Sequence, residues 1–160
     1  MHVIALAVVV ALSGASGQQP HRSLLDFEAI DASGSVVDLD YTGKVVLVDA
    51  WATWCAPCLE ELPRLRRLAG AHGDALVVVG LSMDRMPRRD FITWLQRKDV
   101  RWPQHFDGRG YDSPAAQQLG IDAIPETWLY DRDGRLVARG LRGPTLEAAI
   151  ELLLDGKVRP

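Results

Sequence analysis

Apolar and polar positions change period several times along this chain. Residues 45–50 are apolar throughout except at Asp49, the pattern of a central strand covered on both faces. From Ala56 the period lengthens: Leu59, Leu62, Leu65 and Leu68 recur every three residues, which predicts a helix ending near Gly70 and kinked at Pro63. Residues 76–81 repeat the buried-strand pattern. Before these elements, residues 25–30 and 35–39 alternate weakly around Asp31-Ala32-Ser33-Gly34 and predict a hairpin. After them come a helix over 87–98 with Phe91, Ile92 and Leu95 inward, an irregular Gly- and Asp-rich stretch, and a short helix over 114–119. Residues 127–130 and 136–140 form a second hairpin around Asp131-Arg132-Asp133-Gly134. A last amphipathic helix follows, with Thr145 as its N-cap and Leu146, Ala149, Ile150, Leu153 and Leu154 on one face. The resulting fold class is α/β, one mixed sheet with helices on both faces.

Residues 3–12 form an unbroken apolar run, followed by Ser13, Gly14, Ala15, Ser16 and Gly17. Ten residues are too few to span a bilayer, for which a helix needs about 20, and the small residues suit signal peptidase. A secretory signal over residues 1–17 is expected, with an uncleaved anchor as the alternative, and the domain proper over 25–155. Length and charge add little: 160 residues fit one domain, and 18 basic against 21 acidic residues give a net charge of −3. The basic residues are interspersed with acids, so no nucleic-acid partner is expected; Arg64, Arg66 and Arg67 read as a solvated helix face.

The two cysteines carry the chemistry. Cys55 and Cys58 stand where the apolar strand gives way to the helix, a spacing at which a disulfide opens and closes without unfolding its surroundings. Unsatisfied amides and the macrodipole at the helix N-terminus favour the Cys55 thiolate, which makes it the nucleophile. Pro57 lies in the first turn, where its missing N–H costs nothing. A zinc site would need further ligands, and His2, His21, His72 and His105 lack paired spacing; haem attachment would need His where Leu59 stands. A static disulfide closing so short a loop would stabilise little. No metal or other cofactor is expected beyond the redox-active pair.

The run Val48-Asp49-Ala50-Trp51-Ala52-Thr53-Trp54-Cys55-Ala56-Pro57-Cys58, then Glu60-Glu61-Leu62-Pro63, resembles the thioredoxin superfamily and particularly its TlpA-like exported thiol:disulfide oxidoreductases. Ile124-Pro125 before a strand and an Asp-Gly hairpin is similar to that family's cis-proline segment. The resemblance implies a thioredoxin fold with an N-terminal β-hairpin extension. It implies Cys55 as attacking thiol, Cys58 as resolving thiol, and Trp54, Ala56, Pro57, Ile124 and Pro125 as the substrate-facing set. Asp49, the single charge in its strand, should have a raised pKa and act as general acid/base toward Cys58. Glu61, one turn beyond Cys58, matches a glutamate near the site in some exported relatives, whereas Glu60 points elsewhere. Relatives often place Thr after the proline; here it is Glu126.

Trp51 and Trp54 flank the motif, with Trp54 as the substrate-facing ring, while Trp94, Trp102 and Trp128 read as packing. The expected activity is thiol:disulfide exchange with protein substrates in the periplasm, in the reducing direction, by a monomer fed by a membrane electron donor. Such chemistry often serves cytochrome c maturation or extracytoplasmic reduction. A thiol peroxidase on the same fold would want Pro and Thr or Ser where Val48 and Ala52 stand. A Cu(I) carrier would use the two thiolates alone, since no His or Met is placed to complete the site.

Overall fold

The computed structural model describes residues 27–156, so the expected signal segment lies outside the described residues. Among the described residues there are seven strands, β1 (Ala29–Ile30), β2 (Val36–Val37), β3 (Val45–Trp51), β4 (Leu76–Ser82), β5 (Gln104–His105), β6 (Glu126–Tyr130) and β7 (Leu136–Arg139). The α-helices among the same residues are α1 (Ala56–Ala71), α2 (Arg88–Arg97), α3 (Pro114–Leu119) and α4 (Gly143–Leu154). The sheet order is β2-β1-β5-β4-β3-β6-β7. β3 runs parallel to β4 from Val45↔Leu76 to Trp51↔Ser82, and antiparallel to β6. This is the mixed sheet that the sequence predicts, with the hairpin β1–β2 added at one edge.

Every residue of β3 is buried because both neighbours and helices on each face cover it. Val45, Leu47, Val48, Val79 and Leu81 are fully enclosed, each contributing roughly 1.5–3 kcal/mol of burial if it is of Val or Leu size. α1 turns Cys58, Leu62, Leu65 and Leu68 inward, and continues as one helix through the exposed Pro63. Leu59 is only partly buried, so the inward stripe begins at Cys58 rather than at Leu59.

Three expectations need correction. α4 starts at Gly143 after Arg142, and Thr145 lies inside it. Pro144 occupies the first turn, where proline is tolerated, and the Gly143 N–H is met by Glu61 of α1, so no local cap is needed. Residues read as irregular contain β5, which pairs with Ile30, Gly80 and Leu81, and a 3₁₀ turn at Gly110–Asp112. The arginines of α1 are not a merely solvated face. Arg64 and Arg67 both bond Glu147 of α4, and Arg66 reaches the carbonyls of Lys98 and Asp99. They brace α1 against α4 and against the end of α2.

Candidate active site

β3 ends at Trp51, and the chain turns through Ala52, Thr53 and Trp54 before α1. The turn closes with a bond from the Cys55 N–H to the Ala52 carbonyl, 3.1 Å. Cys55 is the N-cap of α1 in an extended conformation, and its carbonyl accepts from the N–H groups of Cys58 (3.0 Å) and Leu59 (3.1 Å). Cys58 therefore stands at the third helical position, and a disulfide joins the pair across a Cα–Cα distance of 5.3 Å. Pro57 falls in the first turn as expected. Both cysteines are buried, Cys55 at 5% and Cys58 at 2%, a smaller contrast in exposure than the division into attacking and resolving thiols suggests.

The residues next to the cysteines in the chain are exposed. Trp54 is 61% accessible, and Ala56 and Pro57 are exposed beside it. Trp51 is enclosed instead: its indole N–H donates to Gln104 at 2.9 Å, and its ring lies 5.2 Å from Trp94. Trp102 and Trp128 are buried, in keeping with packing roles. The Ile124–Pro125 bond is cis. β6 starts one residue later, with Glu126 opposite Ala50 and Thr127 opposite Asp49, so the proline stands at the same end of the sheet as the cysteine turn. Glu126 is half-buried, with Arg139 Nε 3.6 Å from its Oε1.

Asp49 is 5% exposed, and burial raises its pKa to about 7, helped by the negative charge of Glu61 and opposed by Arg142. No hydrogen bond to its carboxylate is found among the described residues. Glu61 lies three residues beyond Cys58; its Oε2 accepts the Gly143 N–H at 3.1 Å and stands 3.5 Å from Arg64 Nε. The sequence-predicted set thus gathers at one end of the sheet, carried by β3, α1 and the start of β6. Among the described residues no group of three or more His, Cys, Asp or Glu could hold a metal ion.

Sequence reasoning missed Asp84. This residue is wholly enclosed just beyond β4, and its carboxylate receives the Thr53 O–H at 2.6 Å. The signal available was Ser82 and Asp84 together at the end of an apolar strand, a polar pair where a buried strand stops.

Comparison with known proteins agrees with this geometry. The AhpC/TSA family model matches residues 20–139. The chain is 26% identical over 139 residues to the thiol-disulfide oxidoreductase ResA of Bacillus thuringiensis subsp. konkukian, covering 84% of this chain and 76% of the relative. It is 34% identical over 110 residues to the thiol:disulfide interchange protein DsbE of Escherichia coli K12, covering 67% of this chain and 56% of DsbE. Among solved structures, the thioredoxin domain of a thiol-disulfide oxidoreductase from Bacteroides vulgatus superposes with a TM-score of 0.69 at 30% identity, over 80% of this chain and 92% of that one. A disulfide at a helix N-terminus, on a sheet of this order, in a chain with these relatives, places the protein in the AhpC/TSA family of the thioredoxin superfamily, as a TlpA-like thiol:disulfide oxidoreductase.

Proposed function

We propose that this enzyme works outside the cytoplasm and reduces protein disulfides, with Cys55 attacking and Cys58 resolving. The Cys55 thiolate adds to one sulfur of a substrate disulfide and expels the other as a thiolate, which takes a proton from water. Asp49, as carboxylate, accepts the Cys58 proton; the Cys58 sulfur then attacks Cys55, re-forming the enzyme disulfide and releasing the second substrate thiolate. A membrane electron donor returns two electrons to the Cys55–Cys58 pair. Trp54, Ala56, Pro57, Ile124 and Pro125 form the face on which the substrate rests, and the enzyme acts as a monomer.

The observation that carries the exchange chemistry is the Cys55–Cys58 disulfide at the start of α1, and the buried Asp49 supports its proton step. A carboxyl titrating at about 7 exchanges a proton at neutral pH, which an ordinary aspartate does not. The apolar run at residues 3–12 supports export. So does the likeness to the pneumococcal exposed lipoprotein thioredoxin of Streptococcus pneumoniae, with a TM-score of 0.64 at 27% identity, covering 81% of this chain and 98% of that one. Cytochrome c maturation is a fitting setting for such a reductase.

The deciding measurement is the reduction potential of the Cys55–Cys58 pair against glutathione. A value near thioredoxin's, about −270 mV, is expected; one near that of a strong oxidant, about −120 mV, overturns the reducing direction. A fusion of residues 1–30 to a reporter active only after export tests the location, and an inactive fusion sinks it. Turnover of hydrogen peroxide by the reduced enzyme would favour a peroxidase instead.

A further inference from the structure

A second polar cluster lies just before the cysteines, where Thr53 meets Ser82 and Asp84. Asp84 has 0% exposure, and a carboxylate so enclosed is costly unless donors meet it. Three do. The Thr53 O–H donates at 2.6 Å, the Thr53 N–H is shared between the two oxygens at 3.2 and 3.0 Å, and the Ser82 O–H donates at 2.8 Å. The Ser82 oxygen in turn accepts the Asp84 N–H at 3.1 Å, which fixes the carboxylate's own orientation. One residue earlier, the Met83 N–H bonds the Trp51 carbonyl at 2.8 Å and pins the same two loops together.

Both hydrogens of Thr53 therefore end on one buried anion, and bonds to a charged acceptor are about twice as strong as neutral ones. Only Trp54 separates this anchor from Cys55. A rotation at Thr53 passes directly into the exposed Trp54 ring and into the Cys55 carbonyl, which receives the first amides of α1. We propose that Asp84 is a positioning residue for disulfide exchange: by holding Thr53 at both its N–H and O–H, it sets the Ala52–Cys55 turn that presents Trp54 and the Cys55 sulfur to a partner. It acts through Thr53, and the reaction's proton traffic does not pass through it.

The test uses the full chain, reduced, with iodoacetamide as probe of Cys55 and a protein disulfide such as insulin as substrate. Thr53→Val removes the hydroxyl at constant shape, and Cys55 alkylation and insulin reduction should each slow by roughly threefold, part of the effect of one charge-assisted hydrogen bond. Thr53→Ser, which keeps both donors, should rescue the rate. Asp84→Asn should slow both reactions more than Thr53→Val does, and the double variant should be no slower than Asp84→Asn alone, because the two act as one unit. Parental rates in folded Thr53→Val, with only the urea midpoint lowered, would mean that the cluster merely ties β3 to β4 and would overturn the proposal. Additive slowing would overturn it as well. If Asp84→Asn fails to fold, the Val and Ser pair at position 53 decides alone. The parent's own alkylation pattern tests Cys55 as the reactive thiol, so a failure of that assignment is visible separately.

Discussion

Two enclosed aspartates sit at the ends of adjacent parallel strands, and they are treated in opposite ways. Asp84, beyond β4, is met by a hydroxyl, an amide and a second hydroxyl. Asp49, near the end of β3, is also buried, at 5% exposure against 0%, but has no such donors among the described residues and has a second carboxylate, Glu61, raising its pKa. Depth alone does not decide what a buried acid does. An acid whose charged form is fully hydrogen-bonded holds structure, whereas a buried one left without donors is poised to exchange a proton. The two flank the start of α1, one joined to the turn before Cys55 and the other coupled to the helix beyond Cys58.

Taking one sulfur away at a time gives the largest effect. Cys58→Ser should accumulate mixed disulfides with substrate proteins on nonreducing gels, because no internal thiol remains to release them. Cys55→Ser should trap almost none, and the reverse pattern would exchange the roles of the two sides. Next comes Asp49→Asn, which should slow exchange at least tenfold and flatten its pH dependence near 7. It also has a sign in stability. With a folded pKa of about 7 against an unfolded value near 3.9, the native state binds the extra proton, so Asp49 costs stability progressively as pH rises through that window. Above pH 7 the asparagine variant should be more stable than the parent by a few kcal/mol, and below about pH 4 the difference should vanish. Equal urea midpoints at both pH values would show that Asp49 is not bare in solution.

Glu61→Gln should produce a smaller change of two kinds. The Asp49 midpoint should fall, since one of the charges that raises it is gone, and α4 should loosen by about 1 kcal/mol where the Gly143 N–H loses its carboxylate partner. Titrating the Asp49 carboxyl by isotope-edited infrared spectroscopy and measuring urea midpoints separates the two effects. Trp54→Ala comes last: its stability should stay within about 0.5 kcal/mol of the parent because the ring is mostly in solvent, while its KM for a protein substrate rises and that for a small disulfide does not.

Most of the scaffold was legible because its pattern is local. β3 and β4 carry near-continuous apolar runs and α1 a helical stripe, and the Asp-Gly turn marks β6–β7. The elements missed are those held by distant groups. β5 is only Gln104 and His105, polar yet buried; the first meets the Trp51 indole and the second the Glu28 carbonyl. The start of α4 escaped for the same reason, since the group that satisfies the Gly143 N–H lies on another helix. In the site, Asp49 stood out as the one charge in an apolar strand. Asp84 did not, because an aspartate after a strand looks like loop chemistry until its partner in the neighbouring turn is known.

The Gln104 amide has a consequence for how this sequence can drift. A Cβ on Gly80 would lie 2.0 Å from Gln104 Oε1, the same oxygen that accepts the Trp51 indole N–H, while Gln104 Nε2 is held by the Trp102 carbonyl at 3.0 Å. No one of positions 51, 80 and 104 can change freely. Alanine at 80 needs a shorter residue at 104, a shorter residue there strands the indole, and losing the indole removes the need for Gln104. Mutational routes through this corner are therefore expected to run in coupled steps, Gly80→Ala becoming tolerable only after Trp51 and Gln104 have been exchanged for apolar residues together.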